Sequence, residues 1–166
     1  MEKIALTELD NHPQAAAVMY RLTDVLGLAD VAINYYELET GDSFAFAYHK
    51  HEIQEEIFYI EKGTVTFETE NSQVQVDAGE MIRFGPGEYQ RGWNYGDDRV
   101  IALALGAPLE YGQQVTLRYC QKCGERTDNR LERSTERGEP IRVACCEVCG
   151  TETGRWYRGS MAGEVP

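Results

Sequence analysis

Two groups of residues in this chain have types and spacings suited to chemistry. In Ala47–Gly63, AYHKHEIQEEIFYIEKG, two histidines sit one residue apart and a glutamate pair follows. In an extended chain residues i and i+2 project to one face, so His49 and His51 stand side by side, as two ligands of one metal must. Imidazole nitrogens bind Zn, Fe, Mn, Ni or Cu, and a carboxylate from Glu55 or Glu56 completes a facial triad with positions left open for a substrate or for oxygen. The second group is Cys120-x2-Cys123-Gly124 with Cys146-x2-Cys149-Gly150. These matched CxxCG turns, separated by 22 residues, have the ligand spacing of a structural four-thiolate zinc site. The glycine after each pair fits a tight knuckle turn. An iron centre would use the same thiolates, while disulfides or a redox pair suit a cytoplasmic chain poorly. Cys145 is left over as a free thiol.

Short strands must position these residues. SFAFAYHKH alternates and predicts a strand. Its small Ser43, Ala45 and Ala47 share the side of the histidines and leave room for a cavity. Phe44, Phe46 and Tyr48 would form an opposite face that needs cover from another layer or a partner subunit. IFYIEKGTVTFETEN breaks at Lys62–Gly63 and predicts a hairpin there. SQVQVDAGEMIRF repeats the pattern around Asp77-Ala78-Gly79, and GPGEYQRGWNYGDD reads as turns around one short strand. RVIALALGAP is apolar on both faces and predicts a central, buried strand. HPQAAAVMYRL reads as a short helix or an arm. Many short strands with glycine-rich turns argue for an all-β sandwich or barrel.

At this point the residues resemble a known family. His49-x-His51-x4-Glu56-x6-Gly63 is similar to the first motif of the cupin superfamily, with Gly41 upstream, and Gly79-x5-Gly85-Pro86-Gly87-x2-Gln90-x3-Asn94 to the second. The resemblance covers Gly41 to Asn94. It implies an all-β, cupin-type β-barrel, jelly-roll-like, over residues 1–112, with a divalent transition metal (Fe, Mn, Ni or Zn) inside. By position it assigns His49, His51 and Glu56 as ligands, with Glu55 turned outward. The fourth family ligand is a histidine, and Gln90 stands in its place. Its amide oxygen is a harder and weaker donor, which would either ligate the ion or hydrogen-bond a metal-bound water. Gly85 replaces a proline of the motif. Tyr36, Phe58 and Glu88 are candidate substrate-binding residues lining the cavity. Arg91, Trp93 and Tyr95, at period two after Gln90, are expected to face away. Residues 113–158 resemble a zinc ribbon held by Cys120, Cys123, Cys146 and Cys149, and 159–166 read as a frayed tail.

Charge divides at the same place as cysteine. Residues 1–112 carry 20 acidic and 7 basic side chains, residues 113–166 carry 8 and 9, and only 4 lysines occur in all. Both breaks place a domain boundary near Gly112. An acidic, lysine-poor surface repels nucleic acid and has a composition like that of proteins adapted to high salt. Arg126, Arg130, Arg133 and Arg137 would make a basic stripe on a helix, but Glu125, Glu132 and Glu136 interleave, so a solvated face is expected. No apolar run reaches the roughly 18 residues of a membrane span. MEKIALTELD lacks the apolar stretch of a secretory signal, so a cytoplasmic protein is expected. The functional expectation is a metal-dependent enzyme, oxygenase-like, acting on a small organic molecule. The alternative is a non-catalytic ligand-sensing or regulatory protein with the ribbon as docking module, and a sugar isomerase stands third. A homodimer through the apolar outer face of the barrel is expected, without a nucleic-acid or membrane partner.

Overall fold

The computed structural model describes residues 1–12 and 15–157. Its strands form two sheets. The first runs in the order β1 (Val18–Arg21), β2 (Ala32–Leu38), β9 (Val100–Ala107), β4 (Glu55–Lys62), β7 (Met81–Phe84). The second runs β13 (Glu152–Tyr157), β12 (Glu139–Cys146), β11 (Glu125–Glu136), β10 (Gln114–Cys120), β3 (His49–His51), β8 (Gln90–Trp93), β5 (Thr64–Thr69), β6 (Gln73–Asp77). Helix is confined, among the described residues, to α1 (Leu22–Leu26) and a 3-10 turn at Leu6–Glu8. None of it is long and apolar enough to cross a membrane.

The core lies between the sheets. Leu38, Phe58, Ile60, Val65, Phe67, Phe84 and Val100 are buried in one cluster, and hiding each of the larger ones from water contributes about 1.5–3 kcal/mol. β9 is central, as its apolar sequence predicts, between β2 and β4. Its two faces differ: Val100, Ala102 and Ala104 are buried, while Ile101, Leu103 and Leu105 are half-buried on the outer side.

Two expectations change. Lys62–Gly63 is not a hairpin: β4 belongs to the first sheet and β5 to the second, so the chain changes sheet there. Gly63 adopts φ 81°, and a Cβ on it would come within 2.9 Å of Val100 Cγ2, so both conformation and space demand glycine. Local pattern reports a turn at such a point but not which sheet receives the next strand. Second, SFAFAYHKH is not one strand. Phe44–Tyr48 run as successive bends, and β3 begins only at His49. The Ser43 hydroxyl donates to the Ala45 carbonyl at 2.6 Å, a local bond that competes with a ladder. The arginine-rich stretch, for which a solvated charged face is expected, is not a helix. It forms the hairpin β11–β12, and β10 joins that hairpin to β3, so the cysteine-bearing strands continue the second sheet without a break. The change of charge and cysteine content near Gly112 is therefore a change of chemistry within one sheet. The tail 159–166 lies outside the described residues.

Gly92 of β8 shows how tightly the sheets meet. A Cβ there would sit 2.7 Å from both Phe44 and Phe67. Gly92→Ala is expected to lower stability by about 1–3 kcal/mol through overpacking. Gly96→Ala, whose nearest contact is an ordinary 3.5 Å, serves as the control in the same urea titrations.

Candidate metal centre and substrate cavity

β3 carries His49 and His51 on its inner face, β4 begins with Glu55 and Glu56, and β8 begins with Gln90. His49 is paired with Gln90 on one side and with Thr116 of β10 on the other. Glu56 Oε2 lies 3.6 Å from His51 Nε2 and 4.0 Å from His49 Nε2. Ligands bound at about 2.1 Å to one ion stand about 3–3.4 Å apart, so closing the triad needs shifts of about half an ångström. His49 Nδ1 donates to the Ala47 carbonyl at 3.1 Å, which leaves the Nε2 lone pair facing the centre. That outer bond is the usual device for orienting a metal-ligating imidazole.

Gln90 completes the set. Its Nε2 donates to Glu56 Oε2 at 2.8 Å and stands 3.4 Å from His49 Nε2, while its Oε1 is buried without a hydrogen-bond partner. The two ends of an amide have the same shape, so a half-turn presents oxygen to the centre. The residues thus fit an ion: two imidazoles whose Nε2 atoms face the Glu56 carboxylate, that carboxylate, and a buried amide oxygen lacking a partner. Nitrogen and oxygen donors of this kind suit divalent first-row metals.

A cavity of about 530 Å³ opens over the triad. Tyr36 and Phe58 line it, as expected of them. Glu88 does not; it is exposed, and its carboxylate accepts the Gly85 N–H in a turn. Glu55 points outward to Arg83, and Arg91, Trp93 and Tyr95 stay off the cavity wall, stacked on one another. Phe44 and Phe46, assigned from alternation to the far face, line the cavity because the chain bends there. Several liners escape sequence reading: Gln54, Gln114, Thr116, and Leu131 and Arg142 of the hairpin. Gln114 and Thr116 reach it because β10 sets them opposite His51 and His49, a pairing across more than 60 residues that no local pattern announces.

The cysteine cluster sits farther along the same sheet. Cys120, Cys123, Cys146 and Cys149 bring their sulfurs within 4.8 Å of one another, with Cys120 to Cys149 at 3.5 Å and Cys123 to Cys146 at 3.9 Å. A tetrahedron with metal–sulfur bonds of about 2.3 Å has edges of about 3.8 Å. Gly124 and Gly150, both with positive φ, donate to the Cys120 and Cys146 carbonyls at 2.8 Å and close the knuckles. The Thr151 hydroxyl, 3.3 Å from Cys149, pulls that thiol down to about 6, and the Thr127 hydroxyl pulls Cys146 below its usual value. Cys123 is pushed up to about 12, chiefly by the Cys149 sulfur. Cys145 stands outside the cluster.

Burial holds His49 below its ordinary 6.5, against the upward pull of Glu56. Its neutral form is favoured in the folded state, so below pH 6.5 the unfolded chain takes up a proton that the folded one resists. Chelator-treated protein should therefore lose stability as pH falls from 7.5 to 5. His49→Asn should flatten that loss in urea titrations at each pH. An equally steep loss in the variant would refute the assignment.

Comparison with known proteins agrees with this architecture. Residues 34–106 match the family model described as a Cupin domain. Comparison with curated proteins gave no match. Among solved structures, one from Acidithiobacillus ferrooxidans, described as a candidate sugar phosphate isomerase, shares 27% identity at TM-score 0.55, over 76% of this chain and 74% of that one. A sugar phosphate isomerase of a cupin superfamily from Silicibacter pomeroyi shares 16% identity at TM-score 0.60, over 99% of this chain and 97% of that one. A predicted oxalate decarboxylase from Thermotoga maritima shares 22% identity at TM-score 0.56, over 65% of this chain and its whole length, 100%. At such identities the last two likenesses show the fold alone. The two sheets, the His/His/Glu triad on their inner faces and the family match converge: residues 34–106 of this chain are a cupin domain, and a four-cysteine cluster stands on the same sheet beyond it.

Proposed function

We propose that this chain is a metal-dependent enzyme acting on a small, oxygen-rich organic molecule. One observation carries the reading: His49 Nε2, His51 Nε2 and Glu56 Oε2 converge at the wall of a cavity of about 530 Å³, within the roughly 300–1,000 Å³ of small-molecule sites. A divalent ion held by these residues would polarise a carbonyl or hydroxyl oxygen of the substrate. The chain's own groups do the rest. Gln90 holds the Glu56 carboxylate by its N–H. Tyr36 is buried in the cavity wall, and burial raises its phenol well above 10, so it stays protonated and serves as a hydrogen-bond donor to substrate oxygen. Gln54 is fixed by its bond to the Pro108 carbonyl at 2.6 Å and offers its amide oxygen to a substrate hydroxyl.

Between reaction types, the 27% identical structure described as a candidate sugar phosphate isomerase favours rearrangement of a hydroxy-carbonyl compound over the oxygenase chemistry that open metal positions also allow. The hairpin's share in the cavity wall supports an enzyme over a sensor with a separate docking module.

Protein expressed in its native host is expected to contain one divalent ion in the barrel and one zinc in the cysteine cluster. His51→Ala should remove the first and leave both the zinc and the fold. Gln90→Ala should weaken ion binding about 10- to 100-fold. A single ion per chain, lost only in Cys123→Ala, would sink the barrel reading. With sugar phosphates supplied, isomer formation without oxygen uptake is expected, and oxygen uptake without isomer would reverse the choice of reaction.

The half-buried Ile57, Leu103 and Leu105 on the outer face of the first sheet support a homodimer. Sedimentation should give monomers for Leu103→Glu where the parent chain gives dimers.

A further inference from the structure

One wall of the cavity lies outside the matched family region. Leu131 of β11 and Arg142 of β12 line the cavity that holds the triad, although both lie beyond residue 106, where the family match ends. The hairpin is placed there by the sheet: β11 pairs with β10, and β10 pairs with the strand that bears His49 and His51.

A buried polar chain fixes the hairpin further. Thr116, opposite His49, donates its hydroxyl to the Asn129 carbonyl at 3.1 Å. Asn129 is fully buried; its Nδ2 donates to the Thr127 carbonyl at 2.5 Å, and its Oδ1 accepts from the Thr153 hydroxyl at 2.5 Å. Thr127 Oγ1 lies 3.1 Å from Cys146 Sγ. Bonds thus run without a gap from the cavity wall to the cysteine cluster, and groups so deeply buried are costly to leave unpaired. The wall has a set position.

The cavity's charges then point to its ligand. Its cationic liners are Arg21 and Arg142. Arg21 faces Asp24 at 4.0 Å in a pair more than half exposed, and such pairs are weak and solvent-screened. Arg142 is half-buried on a strand paired on both sides. The chain as a whole is strongly acidic, with net charge -12, and would repel an anion. Arg142 lines the same cavity as His49, His51 and Glu56, and a guanidinium in such a wall is suited to a bidentate bond with phosphate or carboxylate. We infer that the cysteine hairpin is a working wall of the substrate cavity and that Arg142 on it selects substrates carrying a negatively charged group, phosphate or carboxylate. The inference rests on the reading of the cavity as a metal-dependent substrate site.

The test is calorimetric titration of the full-length, manganese-loaded protein with glucose, glucose 6-phosphate and gluconate. At least one charged probe should bind more tightly than glucose, by about 10- to 100-fold for one charge-assisted contact. Which one does so separates phosphate from carboxylate recognition. Arg142→Gln should abolish that advantage without changing manganese or zinc content, and Arg142→Lys should restore part of it. Leu131→Glu, which sets a carboxylate on the same wall and leaves Arg142 intact, should weaken the charged probe alone. The inference falls if neither charged probe outbinds glucose, or if Arg142→Gln and Leu131→Glu both keep the advantage. Failure of the parent chain to take up manganese through His49, His51 and Glu56 would instead overturn the reading of the site beneath it.

Discussion

The candidate site depends on a ladder three residues long. β3 is His49–His51, held between β8 and β10 by pairs from His49 to Gln90, His49 to Thr116 and Gln114 to His51. A slip of one residue in either pairing would turn the histidines to the opposite face. The ladder sets Gln90 and Thr116 beside His49 in one stroke, so ligand and cavity liner share a single register. The bends before β3 belong to the same constraint. A straight strand would carry the Ala47 carbonyl away from the imidazole of His49. The bent chain brings it to 3.1 Å from Nδ1, and that bond decides which ring nitrogen faces the centre.

Sequence displayed the parts of this site that obey local rules. The i, i+2 spacing of His49 and His51, the CxxCG knuckles, the apolar run of β9 and the outward Glu55 each follow from neighbours in the chain, and the structure agrees with each. What stayed hidden depends on contacts between distant segments. Gly63 marks a change of sheet instead of a hairpin because its partner, Val100, is far along the chain. Glu88 has the chemistry of a cavity residue, but the nearby Gly85 N–H claims its carboxylate in a turn. The arginine-rich stretch has a helical spacing of charges, yet it pairs as β11–β12 because two cysteine knuckles fix its ends on one sheet.

Gln90 alters the character of the centre without altering its charge. Imidazole and amide are both neutral, so the count of one carboxylate stands. The amide is the harder donor and the weaker one, which shifts preference away from the softer ions towards those content with oxygen. Its N–H end gives Glu56 a hydrogen bond that a metal-ligating imidazole could not. As a clamp on Glu56, by nitrogen, the same side chain would leave one more coordination position to the substrate than a third histidine would; as a ligand, by oxygen, it would fill that position with a weaker donor.

Among the described residues, the outer half of the second sheet buries few apolar side chains. Ile141, Val143 and Ala144 are buried there, but so are Arg118, Thr116, Thr127 and Asn129, and their hydrogen bonds offset desolvation without adding much net stability. Thiolate binding of a structural zinc supplies about 10–16 kcal/mol in small domains, far more than those few side chains. A metal at the cluster would therefore be what keeps β11 and β12 in register with β10. Because β10 is also the strand that flanks His49 and His51, the order imposed at one centre reaches the other through backbone pairing, and the two sites that look separate in the sequence share one mechanical support.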